Sequence, residues 1–131
     1  MIEQSQIAAI LVEACPSFQE EVAAHQEEYG GELTYVLLGS FAHHLLALHT
    51  AGKTESFPAV GSAIEKLHVE GSAYTKEAAT IGLLEGIQNA WGHAGVNHQP
   101  LLAHLGPESA RNWQSLNDFW SGKIPYVGYR G

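Results

Sequence analysis

Apolar residues recur at steps of three and four along most of this chain, and that spacing confines it to a helical fold. The longest stripe is Leu33, Val36, Leu37, Phe41, His44, Leu45 and Leu48. With 3.6 residues per turn, such steps return to one helix face. The spacing recurs at Ile7, Ile10 and Leu11, at Phe57, Val60, Ile64 and Leu67, and at Ala78, Ile81, Leu84, Ile87 and Trp91. It returns at Trp113, Leu116, Phe119 and Trp120. No segment alternates apolar and polar residues as a half-buried strand does. Tyr35 to Leu38 is apolar and partly β-branched, but it lies inside the longest helical stripe.

Glycine and proline punctuate the stripes. Helix one is expected over Glu3 to Ala14, and Pro16 interrupts it while suiting the first turn of the next helix. Helix two is expected from about Pro16 to Glu28, with Phe18 and Val22 inward, and Gly30-Gly31 ends it. Helix three spans about Glu32 to Thr50 and stops at Ala51-Gly52. Thr54 suits the N-cap of helix four, which carries Pro58 in its first turn and closes at Glu70-Gly71. Ser72 suits the cap of helix five, which reaches Trp91. Gly92 to Asn97 reads as a loop, Pro100 to His104 as a short helix, and Gly106-Pro107 as the opening of the last helix.

The expectation is one all-α domain over residues 1–121, with about seven helices and no sheet, and an extended tail over 122–131. A length of 131 residues suits one domain. A chain of that size buries roughly two thirds of its unfolded surface without disulfides or metals. Gly39, Gly61 and Gly82 add a weak echo about 21 residues apart. Glycine inside a helix costs up to ~1 kcal/mol relative to alanine, so its recurrence points to close helix crossings. Two architectures fit: a compact irregular bundle, or a short HEAT-like stack of antiparallel helices.

Charge is distributed unevenly. The first 52 residues hold Glu3, Glu13, Glu20, Glu21, Glu27, Glu28 and Glu32, half of the 14 acids, and none of the six basic residues. The remainder is nearly neutral within a net charge of −8. Such a field repels nucleic acid and anionic membranes and steers basic partners to the acidic end. It also suits a solubilising surface. No stretch approaches the ~20 apolar residues of a membrane span. The start, Met1-Ile2-Glu3-Gln4, lacks the basic opening of a signal peptide, and Cys15 is the lone cysteine, so a cytoplasmic location is expected.

Among reactive side chains, histidine is enriched, with eight copies. Two ligands on one helix face need a spacing of three or four. His44 to His49 and His93 to His98 are five apart, and His98 to His104 six. One Glu-x-x-His is present, at Glu65 and His68; a di-iron bundle needs two. The histidines therefore read as surface or helix-packing residues, and neither a metal nor another cofactor is expected. Cys15 reads as a core residue. Nucleophile-elbow, P-loop and dinucleotide motifs are absent, so no catalytic residue is assigned. Glu65 and Glu85, mid-helix beside apolar residues, suit either solvent or the N–H-rich end of a neighbouring helix. Trp113 and Trp120 share a helix face by spacing and suit the core, whereas Tyr126 and Tyr129 in the tail suit anchors for a partner.

Several of these strings together resemble a bacterial family of small helical proteins without an assigned function. The resemblance rests on helix three, Ile64-Glu65-Lys66-Leu67, Ala78 to Asn89 and Leu105-Gly106-Pro107-Glu108-Ser109 with the following aromatic residues. It covers roughly residues 33–121, and Gly-Leu-Leu-Glu-Gly-Ile-Gln-Asn at 82–89 is its most distinctive part. The resemblance implies a likeness to polymorphic-toxin immunity proteins in size and acidity and an association with toxin neighbourhoods, and it supplies no catalytic residues.

The functional expectation is a protein-binding module, a cytoplasmic immunity protein that binds and neutralises a cognate toxin; a basic toxin would meet the acidic surface. Its candidate partner-binding residues are Glu20, Glu21, Glu27, Glu28, Glu32, Tyr126 and Tyr129. The alternatives are a histidine-based metal-binding or enzymatic helical protein, and a homo-oligomeric adaptor; a homodimer is compatible with each.

Overall fold

The computed structural model describes residues 1–31 and 33–120. Helix α1 (Ile7–Ala14) follows a 3-10 turn at Gln4–Gln6, and α2 (Gln19–Tyr29) follows another at Pro16–Phe18. Helices α3 (Thr34–Thr50) and α4 (Phe57–Glu70) come next. Then α5 (Ala73–Glu77), a π-helical segment (Ala78–Leu84) and α6 (Glu85–His93) run on without a break as one rod. Helices α7 (Gln99–Leu102) and α8 (Pro107–Trp120) finish the described chain. With the rod counted once, the described residues form seven helices and no sheet, as the periodicity implies.

The expected stops act where they stand. Gly30 takes φ +69°, and its N–H reaches the Gln26 carbonyl. Ser72 caps α5, its hydroxyl accepting from the Thr75 N–H at 3.2 Å. A single parallel bridge is the sole β pairing among the described residues. The Ile2 N–H donates to the Glu70 carbonyl and the Ser72 N–H to the Ile2 carbonyl, both at 2.8 Å. That bridge ties the chain start to the α4–α5 joint.

The molecule is the irregular bundle rather than the stack. Helix α3 packs along the rod, while α4 packs against both α1 and α8, elements far from each other in sequence. A solenoid would join sequence neighbours only. Phe18, Phe41, Leu45, Ile64, Leu83, Leu84 and Trp91 are fully buried in one core, and Phe18 meets Phe41 edge-on at 4.7 Å. Cys15 is buried in the same core, as expected.

Two of the three echoing glycines sit at close crossings. A Cβ at Gly61 would collide with the His104 carbonyl group, and one at Gly82 would lie 2.8 Å from Leu38 Cδ1. A Cβ at Gly39 meets nothing within 4 Å. The echo is therefore not a structural repeat.

The stripe on α3 is turned from its expected phase. Leu37, Phe41 and Leu45 point inward, but so do Leu38 and Ala42, while Leu33 and Val36 face solvent. Helix α3 is apolar on most sides, so spacing alone does not choose its face. Trp120 also departs from expectation: it is 58% exposed, whereas Trp113 is buried.

Candidate functional site

Four of the expected partner-binding acids stand on one helix. Glu20 and Glu21 lie in the first turn of α2, where negative charge suits the positive end of the dipole. Glu27 and Glu28 lie in its last turn, against the negative end, and no basic residue accompanies them there. Carboxylates so placed weaken a helix by a few tenths of a kcal/mol. All four side chains are exposed, and Val22 and His25 form the buried face of α2. The placement of Glu27 and Glu28 therefore has no account in stability.

An apolar surface adjoins this acidic helix at the α2–α3 turn. Tyr29 is 38%, Leu33 51% and Val36 45% exposed. Leu33 also takes a left-handed backbone, at φ +56°, unique among the described non-glycine residues. That conformation costs an L-residue roughly 1–2 kcal/mol. The first turn of α3 follows directly, with the Val36 and Leu37 N–H groups on the Leu33 carbonyl. On the next face Tyr35 and Tyr74, both exposed, meet edge-on at 6.2 Å. Glu32, Tyr126 and Tyr129 lie outside the described residues.

The start of α2 also holds a chain of hydrogen bonds that sequence spacing did not reveal. The Ser17 hydroxyl lies 2.8 Å from His44 Nε2, and His44 Nδ1 lies 3.2 Å from Glu21 Oε1. Ser17 Oγ is 3.5 Å from Cys15 Sγ. The imidazole leans on Phe18 at 5.4 Å and is largely covered, while Ser17 is open to solvent. In order and contacts this matches a nucleophile, a base and an orienting carboxylate. It also pins the beginning of α2 to the middle of α3. Ser17 and His44 are 27 residues apart, so nothing local signals their meeting.

Glu65 and His68 do different work at the α4–α8 junction. The Ser109 N–H donates to Glu65 Oε1 at 2.9 Å, and the Glu108 N–H to Oε2 at 3.1 Å. These are free N–H groups of the first turn of α8, the partner expected for a mid-helix acid. Burial by itself would raise the Glu65 carboxyl; the Ser109 and Glu108 N–H groups outweigh it and hold the carboxyl below its ordinary range. Gly106 leaves the room, since a Cβ there would lie 2.5 Å from the Glu65 carboxyl carbon.

His68 is buried between three partners. Its Nδ1 is 2.9 Å from Ser109 Oγ and 3.1 Å from the Ile64 carbonyl, and its Nε2 is 2.9 Å from Thr80 Oγ1. Burial lowers its pKa, so the ring is held neutral. The Glu-x-x-His pair thus clamps α8 onto α4. Glu85 contrasts with it: its carboxylate has no hydrogen-bond partner among the described residues, and burial raises its pKa.

The family described as a domain of unknown function, DUF7674, matches residues 8–121. The chain belongs to it. No curated protein and no solved structure matches the chain. The DUF7674 match takes in the acidic helix, the Ser17–His44–Glu21 chain and the α4–α8 clamp together. Among the described residues of this DUF7674 domain, no three His, Cys, Asp or Glu side chains converge as a metal site, and no helix is long and apolar enough to cross a membrane.

Proposed function

We propose that the protein is a binding module whose acidic α2 face and apolar α2–α3 turn engage a basic protein, in the manner of a cytoplasmic immunity protein that occludes a bacterial toxin. The observation that carries this reading is the placement of exposed Glu27 and Glu28 against the helix dipole, beside exposed Tyr29, Leu33 and Val36. Acids there weaken the helix, and apolar side chains there are left in water. Both become favourable when a basic, partly apolar surface covers them. Charge then speeds encounter, and apolar anchors hold the complex. The likeness to immunity proteins in size and acidity, read from the sequence, points the same way.

Co-purification with the product of the neighbouring gene tests it. The expected result is a complex whose association slows by about tenfold at low salt when Glu20, Glu27 and Glu28 become Gln. Leu33→Ser is expected to speed dissociation instead. A neighbouring product that is neither toxic nor bound removes the proposal.

The Ser17–His44–Glu21 geometry favours a second reading, a histidine-based esterase. Labelling of Ser17 by a fluorophosphonate, lost in His44→Ala, supports that reading; an unlabelled Ser17 excludes it.

A further inference from the structure

Helices α6 and α8 carry none of the acidic-face residues, yet between them lies an open recess of about 290 Å³. Gln88 and Asn89 come from α6, Asn117 and Trp120 from α8, and His98 from the approach to α7. The volume stands at the lower edge of the ~300–1,000 Å³ typical of small-molecule sites, room for one ring rather than a chain.

Three features of the lining define what fits. First, His98 Nε2 is buried without a hydrogen-bond partner among the described residues. The ring is held from both sides, near-parallel to Trp91 at 6.2 Å and edge-on to Trp113 at 5.1 Å, so it does not turn freely to find one. A buried nitrogen left so costs roughly 1–3 kcal/mol. Second, the amides are arranged but not exhausted. Gln88 Nε2 donates to Asn117 Oδ1 at 3.1 Å, which leaves Gln88 Oε1 to accept and Asn117 Nδ2 to donate. Third, among the described residues no carboxylate, ammonium or guanidinium lines the recess, and the exposed Trp120 indole offers an apolar face there.

We propose that this recess binds a neutral polyhydroxylated ring, a monosaccharide unit. A hydroxyl both donates and accepts, so it satisfies His98 Nε2 in either tautomer. Neighbouring hydroxyls on one ring meet the carboxamides of Gln88, Asn89 and Asn117, and the C–H face of the ring lies on Trp120. The described lining holds no ionised side chain to pair with the charge of a phosphorylated or carboxylated sugar, which disfavours both.

Saturation-transfer NMR on the full chain tests this with glucose, galactose, mannose and N-acetylglucosamine, and with uridine and adenosine as planar neutral controls. The expected result is saturable binding of at least one sugar, weakened by about tenfold or more in Trp120→Ala and in Asn117→Ala. Both side chains are exposed, so circular dichroism is expected to show both variants folded as the parent. Three outcomes overturn the proposal: no saturable sugar binding, sugar binding unchanged in both folded variants, or saturation by the nucleosides alone.

Discussion

Glu65 and the glutamates of α2 are the same side chain put to opposite uses. At the α4–α8 junction, each carboxylate oxygen of Glu65 takes an N–H from a helix end, and glycine clears its path. On α2, four carboxylates are exposed; Glu21 meets His44, while Glu27 and Glu28 stand at the end of the helix that disfavours them. The arrangement of Glu65 is explained by the fold it holds together. That of Glu27 and Glu28 is not, and that difference is why the binding reading is placed on α2. Histidine divides likewise: His68 has three internal partners, while His98 Nε2 has none among the described residues.

The largest test of this contrast is His68→Ala. It opens a cavity and leaves Thr80 and Ser109 unpaired, so a loss of about 3–4 kcal/mol is expected in urea unfolding. Gly61→Ala comes next. Its Cβ meets the His104 backbone, which cannot give way as a flexible side chain does, and roughly 1–3 kcal/mol should be lost. Gly39→Ala is its internal control: the space is open, and a gain of up to ~1 kcal/mol is expected. A loss at Gly39 comparable to that at Gly61 would break the account of the helix crossings.

Acid should act on the α4–α8 junction in two stages. His68 is held neutral in the fold, so the unfolded chain takes up a proton first. Its contribution is intact above about pH 6.5 and falls as pH drops below that value. The lowered Glu65 carboxyl contributes above about pH 4.3 and loses its contribution as pH falls through its folded value. Urea midpoints should therefore decline in two stages on acidification. His68→Gln should remove the upper stage and Glu65→Gln the lower. The smallest effect is expected on α2, where Glu20→Gln, Glu27→Gln and Glu28→Gln should each move stability by less than about 0.5 kcal/mol. A larger loss would mean that the acidic face is structural after all.

The division also bears on what sequence alone can show. Helix ends were largely legible because local chemistry makes them: Gly30, Pro58 and Ser72 act within a few residues of themselves, although α4 begins after Ser56 and not at the expected cap, Thr54. The partner of Glu65 was legible as a type, a helix N-terminus, though not as Glu108 and Ser109. The face of α3 was not legible, because Leu33, Val36, Leu38 and Ala42 fit more than one stripe. Nor was the meeting of Ser17 with His44, or of Gln88 with Asn117, since tertiary contact alone brings them together. Trp120 shares a face with Trp113 by spacing, yet α8 runs past the core before reaching it.

One further feature sets a limit on how this chain can change. Within the rod, the π segment Ala78–Leu84 turns Ala78, Ala79, Thr80, Gly82, Leu83 and Leu84 all inward. A wider turn takes up one more residue than an α-helical one. Deleting a single residue there would narrow this turn to α-helical winding and leave the turns on either side in phase. The same deletion at the start of α6 would swing all that follows by about 100°, and Ile87 and Trp91 would leave the core together, whatever their own identities. Single-residue deletions should therefore be tolerated in the π segment and in the loop between α3 and α4 before they are tolerated in α6.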